Sequence, residues 1–296
     1  MQANKIIQQL DKVIHGKHEV CALVYASLIA GGHVLLEDVP GVGKTSLAHA
    51  VANATGLEYK RVQCTNDTLP SDIIGVSMWN PSENKFVFQH GPIFTQALVV
   101  DEINRASPKT QSALLEAMEE QQVSVDNHMY KLPSPFWVIA TQNPVDQNGT
   151  SPLPESQLDR FLIKVSMGYP DEESEKRMLK RDFDQRRASL SKATTCTIEA
   201  DRTQAQSLVI SDNVIDYVYR LIKETRNTEN FKSGLSPRAG QGLIAMAKAW
   251  AWLHGKTYVS PDDIKTVFPS VACHRITHLY DHTDVAITNL LNTIEV

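Results

Sequence analysis

Lys44 and Thr45 close the stretch Asp38-Val39-Pro40-Gly41-Val42-Gly43-Lys44-Thr45, which is entered from apolar Val34, Leu35 and Leu36 and left into Ser46-Leu47-Ala48. Backbone amides of a glycine-containing turn and of a following helix point at oxyanions, helped by the positive end of the helix dipole. On that reading Val39, Pro40, Gly41, Val42, Gly43 and Ser46 line a nucleotide's phosphates. Lys44 brings a mobile charge to the β/γ-phosphates, and Thr45 brings a hydroxyl to Mg²⁺. The general pattern G-x-x-x-x-G-K-[ST] asks for glycine where Asp38 stands, although aspartate is among the few other residues that tolerate unusual dihedrals there.

A second set of polar residues follows apolar runs. Ala97 to Val100 ends at Asp101-Glu102. Asp101 can hold Mg²⁺ or its water shell, and Glu102 can polarise a water for in-line attack on a γ-phosphate. Phe136 to Ala140 ends at Thr141-Gln142-Asn143. The Asn143 amide can orient that water, and a turn-forming Asn before Pro144 is an equal reading of the local sequence. Arg160, in Leu158-Asp159-Arg160-Phe161, and Arg238, in Ser236-Pro237-Arg238, read locally as surface arginines.

These residues need a scaffold that gathers strand ends. His18 to Ile29 carries apolar residues at helical spacing and stops at Gly31-Gly32. Thr45 leads into a helix bearing Leu47, Val51 and Ala54 as far as Gly56, and Tyr59 to Cys64 reads as a strand. The runs before Asp101 and Thr141 have the unbroken apolar character of buried parallel strands. Ser107-Pro108 opens a helix with Leu114, Leu115 and Met118 on one face. Alternating strands and helices predict an α/β fold, a doubly wound parallel sheet whose ligands bind beyond the strands' carboxyl ends. Asp38, Asp101 and Asn143 all fall at such ends. Past Tyr169-Pro170 helical periodicity dominates, so residues 1–169 are expected to form the α/β core and 170–296 a smaller all-helical domain. Ser211 and Ser260-Pro261-Asp262-Asp263 read as helix starts, and Gln185 to Thr203 is too polar and irregular for an assignment.

Bulk properties exclude several classes. A chain of 296 residues, 42% hydrophobic, can bury a sizeable core. A net charge of −5 argues against nucleic acid held mainly through its phosphates. Cys21, Cys64, Cys196 and Cys273 are far apart and lack metal-ligand spacing, as expected of reduced thiols. No apolar run approaches the ~20 residues of a membrane span, and no signal-peptide core follows Met1, so no membrane insertion and a cytoplasmic location are expected.

The order of these motifs resembles the AAA+ ATPases, and more narrowly their MoxR branch. The likeness is carried by Val13-Ile14-His15-Gly16, Leu35 to Thr45, Leu69-Pro70-Ser71-Asp72-Ile73-Ile74-Gly75, Val100-Asp101-Glu102-Ile103-Asn104-Arg105-Ala106, Ala140-Thr141-Gln142-Asn143-Pro144 and Leu153 to Phe161. The resemblance implies that Lys44 and Thr45 are the Walker A lysine and hydroxyl, Asp101 and Glu102 the Walker B pair, and Asn143 sensor 1. Arg160 matches the arginine finger, which in the family reaches a neighbouring subunit's ATP, and Arg238 matches the sensor 2 arginine of a lid domain. Ile14 and Gly16 fall where the family contacts adenine. Asp38 fits the branch. Segments 75–91 and 122–135 correspond to two inserted hairpins that move on a ring.

An ATP/ADP- and Mg²⁺-using, ring-forming homo-oligomer follows as the expectation, usually a hexamer, with chaperone-like action on a separate protein carrying a von Willebrand factor A domain. A nucleic-acid motor is the alternative, against which His128 and Lys131 beside Asp126 make a thin basic complement. A nucleotide-gated scaffold with little turnover is another, and Glu102 argues against it.

Overall fold

In the computed structural model residues 2–38, 42–143, 149–169, 171–179, 198–280 and 282–296 are described. Helices α1 (Gln2–Asp11) and α2 (His18–Ala30) precede strand β1 (His33–Glu37). Every residue of α2 from Cys21 to Ile29 is buried, so this helix is apolar around its whole circumference and runs inside the protein. It stops at Gly31, whose φ of 81° suits a residue without Cβ. Then come α3 (Lys44–Thr55), β2 (Tyr59–Gln63), α4 (Pro70–Ile74), β3 (Gly75–Asn80), β4 (Lys85–His90), β5 (Ala97–Asp101), α5 (Pro108–Glu120), β6 (Gln122–Val125), β7 (His128–Lys131), β8 (Trp137–Gln142), α6 (Glu155–Leu158) and β9 (Phe161–Val165).

Five strands form one sheet in the order β2-β5-β8-β1-β9, every pair parallel. Because side chains alternate across a strand, β1 sends Val34 and Leu36 into one core and Leu35 into the other. The first core joins them to Leu47 and Val51 of α3 and Leu28 of α2, and the second joins Leu35 to Leu114, Leu115 and Met118 of α5. Burial on both faces is why these strands read as unbroken apolar runs. The doubly wound arrangement expected from the sequence is what the chain adopts.

Two antiparallel hairpins, β3–β4 and β6–β7, stand apart from the sheet and lean on one another. Phe88 meets Tyr130 with ring centroids 4.4 Å apart, and Ser77 donates its hydroxyl hydrogen to Asp126. The β6–β7 turn uses Asp126 and Asn127 at φ of 50° and 62°, the left-handed pair that tight hairpins require.

Among the described residues the remaining elements add no strand to the sheet: α7 (Glu172–Leu179), α8 (Ile198–Gln206), α9 (Asp212–Thr225), β10 (Phe231–Ser233), α10 (Pro237–Leu253), α11 (Pro261–Ala272), β11 (Thr277–His278) and α12 (Thr283–Thr293). Two details depart from expectation. This part is not purely helical, because β10 and β11 pair antiparallel and bury Phe231 against the ring of His278. Ile198 to Thr203, the end of the polar and irregular stretch from Gln185, opens α8, and the rest of that stretch lies outside the described residues. Only Ile198 and Ala205 of α8 are buried, too few to make a periodic signal. Arg202 instead fixes the helix by donating to Leu28 O at 3.1 Å and Ile29 O at 3.3 Å, carbonyls of the last turn of α2.

Edge strand β9 is covered rather than left open. Lys164 O accepts from Cys273 Sγ, the Phe161 carbonyl faces His274 Nε2 at 3.0 Å, and Arg275 takes the carbonyls of Phe161 and Leu162. Side chains from the segment around the end of α11 thus satisfy a backbone edge that would otherwise template pairing.

Candidate nucleotide site at the strand ends

At the carboxyl end of β1 the chain turns into α3 through Gly43, whose φ of 98° only glycine adopts at ease. Gly43, the N-cap of α3, has no side chain to cap it, and the first-turn amides of such a helix start point the way an anion needs. Val42 packs against the core at the turn, and Ser46 lies in the helix's first turn. Val39, Pro40 and Gly41, expected to line phosphates, lie outside the described residues.

Lys44 Nζ donates to Asp38 O at 2.5 Å and to Gln142 O at 3.0 Å, so the ammonium rests on carbonyls at the ends of β1 and β8. Burial lowers its pKa below the ordinary lysine value, opposed by the charges of Asp38, Glu102, Asp101 and Glu37. The aspartate that breaks the general loop pattern has its own task. Asp38 Oδ2 accepts from Ser166 Oγ at 3.0 Å, Met167 N at 2.7 Å and Gly168 N at 2.6 Å, tying the loop's start to the chain leaving β9.

Asp101 is only 3% exposed at the end of β5. Its Oδ1 accepts from Thr45 Oγ1 at 3.1 Å and Thr141 Oγ1 at 3.3 Å, while its Oδ2 accepts from Arg61 Nε at 2.6 Å. A hydroxyl and a carboxylate facing each other across the loop and β5 are the hard-oxygen donors that suit Mg²⁺ completed by phosphate oxygens. Glu102 follows at φ 56° and ψ 50°, a left-handed conformation unusual for a side-chain-bearing residue. That twist separates the neighbouring carboxylates: Asp101 stays buried, and Glu102 turns outward. Glu102 N donates to Thr141 Oγ1 at 3.0 Å, and its Oε2 accepts from Gln63 Nε2 at 3.0 Å and pairs with Arg105 Nε at 3.0 Å.

Asn143 leaves β8 beside this group, and its carbonyl accepts from Asn104 Nδ2 at 3.4 Å. Ile14 is a buried core residue, with Gly16 in a left-handed turn after it at φ 70°. Lys17 Nζ then donates to Tyr169 O at 2.9 Å, so the Val13–Lys17 segment borders the chain that Asp38 holds.

Arg160 and Arg238 gather elsewhere. Glu119, at the end of α5, accepts Arg238 Nη1 at 2.6 Å on one oxygen and pairs with Arg160 Nη2 at 3.1 Å through the other. This is the amino-terminal end of the strands: Arg160 immediately precedes β9, and His33, first residue of β1, faces the neighbouring Met118 carbonyl at 3.2 Å. A five-residue strand spans about 15 Å, so the two arginines lie across the sheet from Lys44, Thr45 and Asp101. The structure brings the phosphate-loop and acidic residues together and brings the two arginines together, at opposite ends.

Arg61, Gln63, Thr141, Glu119 and Arg275 were not singled out from the sequence. The first two alternate on β2, and only the register Gln63↔Asp101 places them beside the acidic pair.

Against known proteins, residues 33–163 match the ATPase family associated with various cellular activities (AAA), and residues 223–291 match the AAA lid domain. Chaperone MoxR1 of Mycobacterium tuberculosis is 37% identical over 98% of this chain and 81% of its own length. The chain belongs to the MoxR family of AAA+ ATPases. Another relative, protein MoxR of Methylorubrum extorquens, is 30% identical over 93% of this chain and 87% of its own. The YeaC protein of Bacillus subtilis is 43% identical over 92% and 86%. The fold of this MoxR-family ATPase also matches a crystal structure of an ATPase candidate from Cytophaga hutchinsonii, with TM-score 0.87, 34% identity, and coverage of 99% of this chain and 94% of that one.

Proposed function

We propose that this AAA+ ATPase hydrolyses Mg²⁺-ATP in sites shared between subunits of a ring, usually six in its family, and uses the cycle to remodel partner proteins. One observation carries the reading. Lys44, Thr45, Asp101 and Glu102 collect at one end of the sheet, whereas Arg160 and Arg238 collect at the other, on the two oxygens of Glu119. In this structure a single copy holds its own arginines at the far strand ends from its own phosphate loop. Head-to-tail copies can bring the two together, and repeated head-to-tail contacts close into rings. We divide the chain near residue 170 into core and lid, which the positions of the two family matches support.

The geometry supports the following roles. Lys44 exchanges its two carbonyl partners for the β/γ-phosphates, and the first-turn amides of α3 hold phosphate oxygens. Ile14 and Gly16 border the base. Thr45 and Asp101 would hold Mg²⁺, which supplies charge neutralisation on the phosphate oxygens. Glu102 accepts the proton of the attacking water, Gln63 and Arg105 set the direction of its carboxylate, and Asn143 positions the water. Arg160 and Arg238 leave Glu119 for the transferred phosphoryl group of the adjacent subunit. An arginine finger is worth about 10³ to 10⁵ in rate.

Remodelling of proteins is supported by the paired hairpins, which expose Val76, Met78, Trp79, Phe86 and Met129. Apolar side chains grouped on projecting elements suit polypeptide rather than phosphate backbone. A partner with a von Willebrand factor A domain and a cytoplasmic location rest on the family likeness. Among the described residues no helix is long and apolar enough to cross a membrane.

Complementation tests the shared site. Lys44→Ala subunits lack phosphate binding but carry an intact Arg160, and Arg160→Ala subunits have the reverse defect. Each should be nearly inert alone, and mixing them should restore turnover. A mixture as inactive as its components would refute the shared site.

A further inference from the structure

We propose that Arg275 is a positioning residue for Arg160, so that the placement of the lid in one subunit sets the finger presented to the next. The inference rests on Arg160 acting across the subunit boundary. Arg275 lies just past α11, and its side chain is 5% exposed. Its Nε donates to Asp159 Oδ1 at 2.6 Å, its Nη2 to Asp159 O at 3.0 Å and Phe161 O at 2.5 Å, and its Nη1 to Leu162 O at 3.0 Å and Val271 O at 2.5 Å. Every donor a guanidinium possesses is therefore in use. Two of the groups it grips are the backbone carbonyls immediately before and after Arg160.

The other oxygen of Asp159 extends the connection. Asp159 Oδ2 accepts from Ser236 Oγ at 3.1 Å, and Ser236 Oγ in turn accepts from Ala239 N at 3.0 Å as the N-cap of α10. Arg238 sits in the first turn of that same helix. One carboxylate thus anchors the backbone bearing Arg160 and the helix start bearing Arg238, while Glu119 holds their side chains. A lid that shifts carries both arginines with it. Burial lowers the Arg275 pKa, and the bond to Asp159 opposes that shift. Lysine, a single point donor, cannot reproduce a five-bond fork.

A generic packing role and a positioning role differ in what rescues the defect. The test uses the assembled oligomer with Arg275→Lys, measuring steady-state ATP turnover, equilibrium binding of a fluorescent ATP analogue, and oligomer size. Positioning errors of about 1 Å cost on the order of 10²-fold in rate. The expected result is a kcat lowered about 10- to 100-fold, with KM, analogue affinity and oligomer size unchanged. Adding Lys44→Ala subunits, which present a correctly held Arg160, should restore turnover at the intact phosphate sites of the Arg275→Lys subunits.

Arg160→Ala mixed with Lys44→Ala is the control. No recovery in the control overturns the shared site itself. Recovery there without recovery for Arg275→Lys overturns the positioning role, as does an Arg275→Lys oligomer with unchanged kcat or weakened nucleotide binding. Asp159→Asn keeps the side chain's shape and carries the same comparison if Arg275→Lys does not yield soluble oligomer.

Discussion

Glu102 is the side chain on which turnover should depend most sharply, because its left-handed backbone turns its carboxylate away from the buried Asp101. Glu102→Gln removes the proposed proton acceptor while keeping the shape and the ability to accept from Gln63. Nucleotide binding is expected to persist and single-turnover hydrolysis to fall about 10²- to 10⁴-fold. Equal single-turnover rates would rule out Glu102 as the base.

His33 gives a separate prediction about pH. Both ring nitrogens are engaged inside the protein, by Val138 N at 3.0 Å and the Met118 carbonyl at 3.2 Å, and burial pushes its pKa down to about 4. The unfolded chain binds this proton near pH 6.5 and the folded chain does not, so stability is present above that value and declines as pH falls towards about 4. The loss attributable to His33 is on the order of 3 kcal/mol. His274, also fully buried and lowered, adds a slope of the same sign. Urea midpoints across this range should fall with acidification, and less steeply in His33→Gln.

At this scale Lys44, Thr45, Asp101 and Glu102 were legible in the sequence because each sits in a short motif beside a strand or helix end. Their partners were not. Arg61, Gln63 and Thr141 reach the acidic pair only through strand register, and Arg275 reaches Asp159 across more than a hundred residues.

Among elements, β9 has the most to explain, since it is an edge strand that leads from Arg160 towards the chain held by Asp38. Leu162 on this strand is wedged between two glycines. A Cβ on Gly32 would lie 2.3 Å from Leu162 Cβ, and one on Gly242 of α10 would lie 2.8 Å from Leu162 Cδ1. Gly32→Ala is expected to cost about 1 to 3 kcal/mol through overpacking. A urea midpoint equal to wild type would show that the strand shifts without penalty.

The elements of the sheet layer were readable because strands buried on both faces make unbroken apolar runs and because Ser107-Pro108 and Ser260-Pro261 mark helix starts with little ambiguity. The short β10–β11 pair was not, having only three and two residues. Nor was α8, whose attachment depends on Arg202 reaching the carbonyl end of α2 rather than on an apolar stripe.

For the whole molecule, the separation of the phosphate-loop and acidic residues from the paired arginines is the feature that local sequence could not show. Arg160 and Arg238 are far apart along the chain, and their meeting on Glu119 exists only once α5, β9 and α10 have packed. The cluster lies at the other strand ends from the chain's own phosphate loop, so under the proposed shared site assembly and catalysis should be one event. The direct measurement is ATP turnover per subunit followed against protein concentration through the assembly transition, with oligomer mass recorded on the same samples. Turnover per subunit should rise at least about 10³-fold as dilute monomer becomes oligomer, with the rise absent in Arg160→Ala. A dilute monomer that turns over ATP as fast as the assembled protein would contradict the shared site.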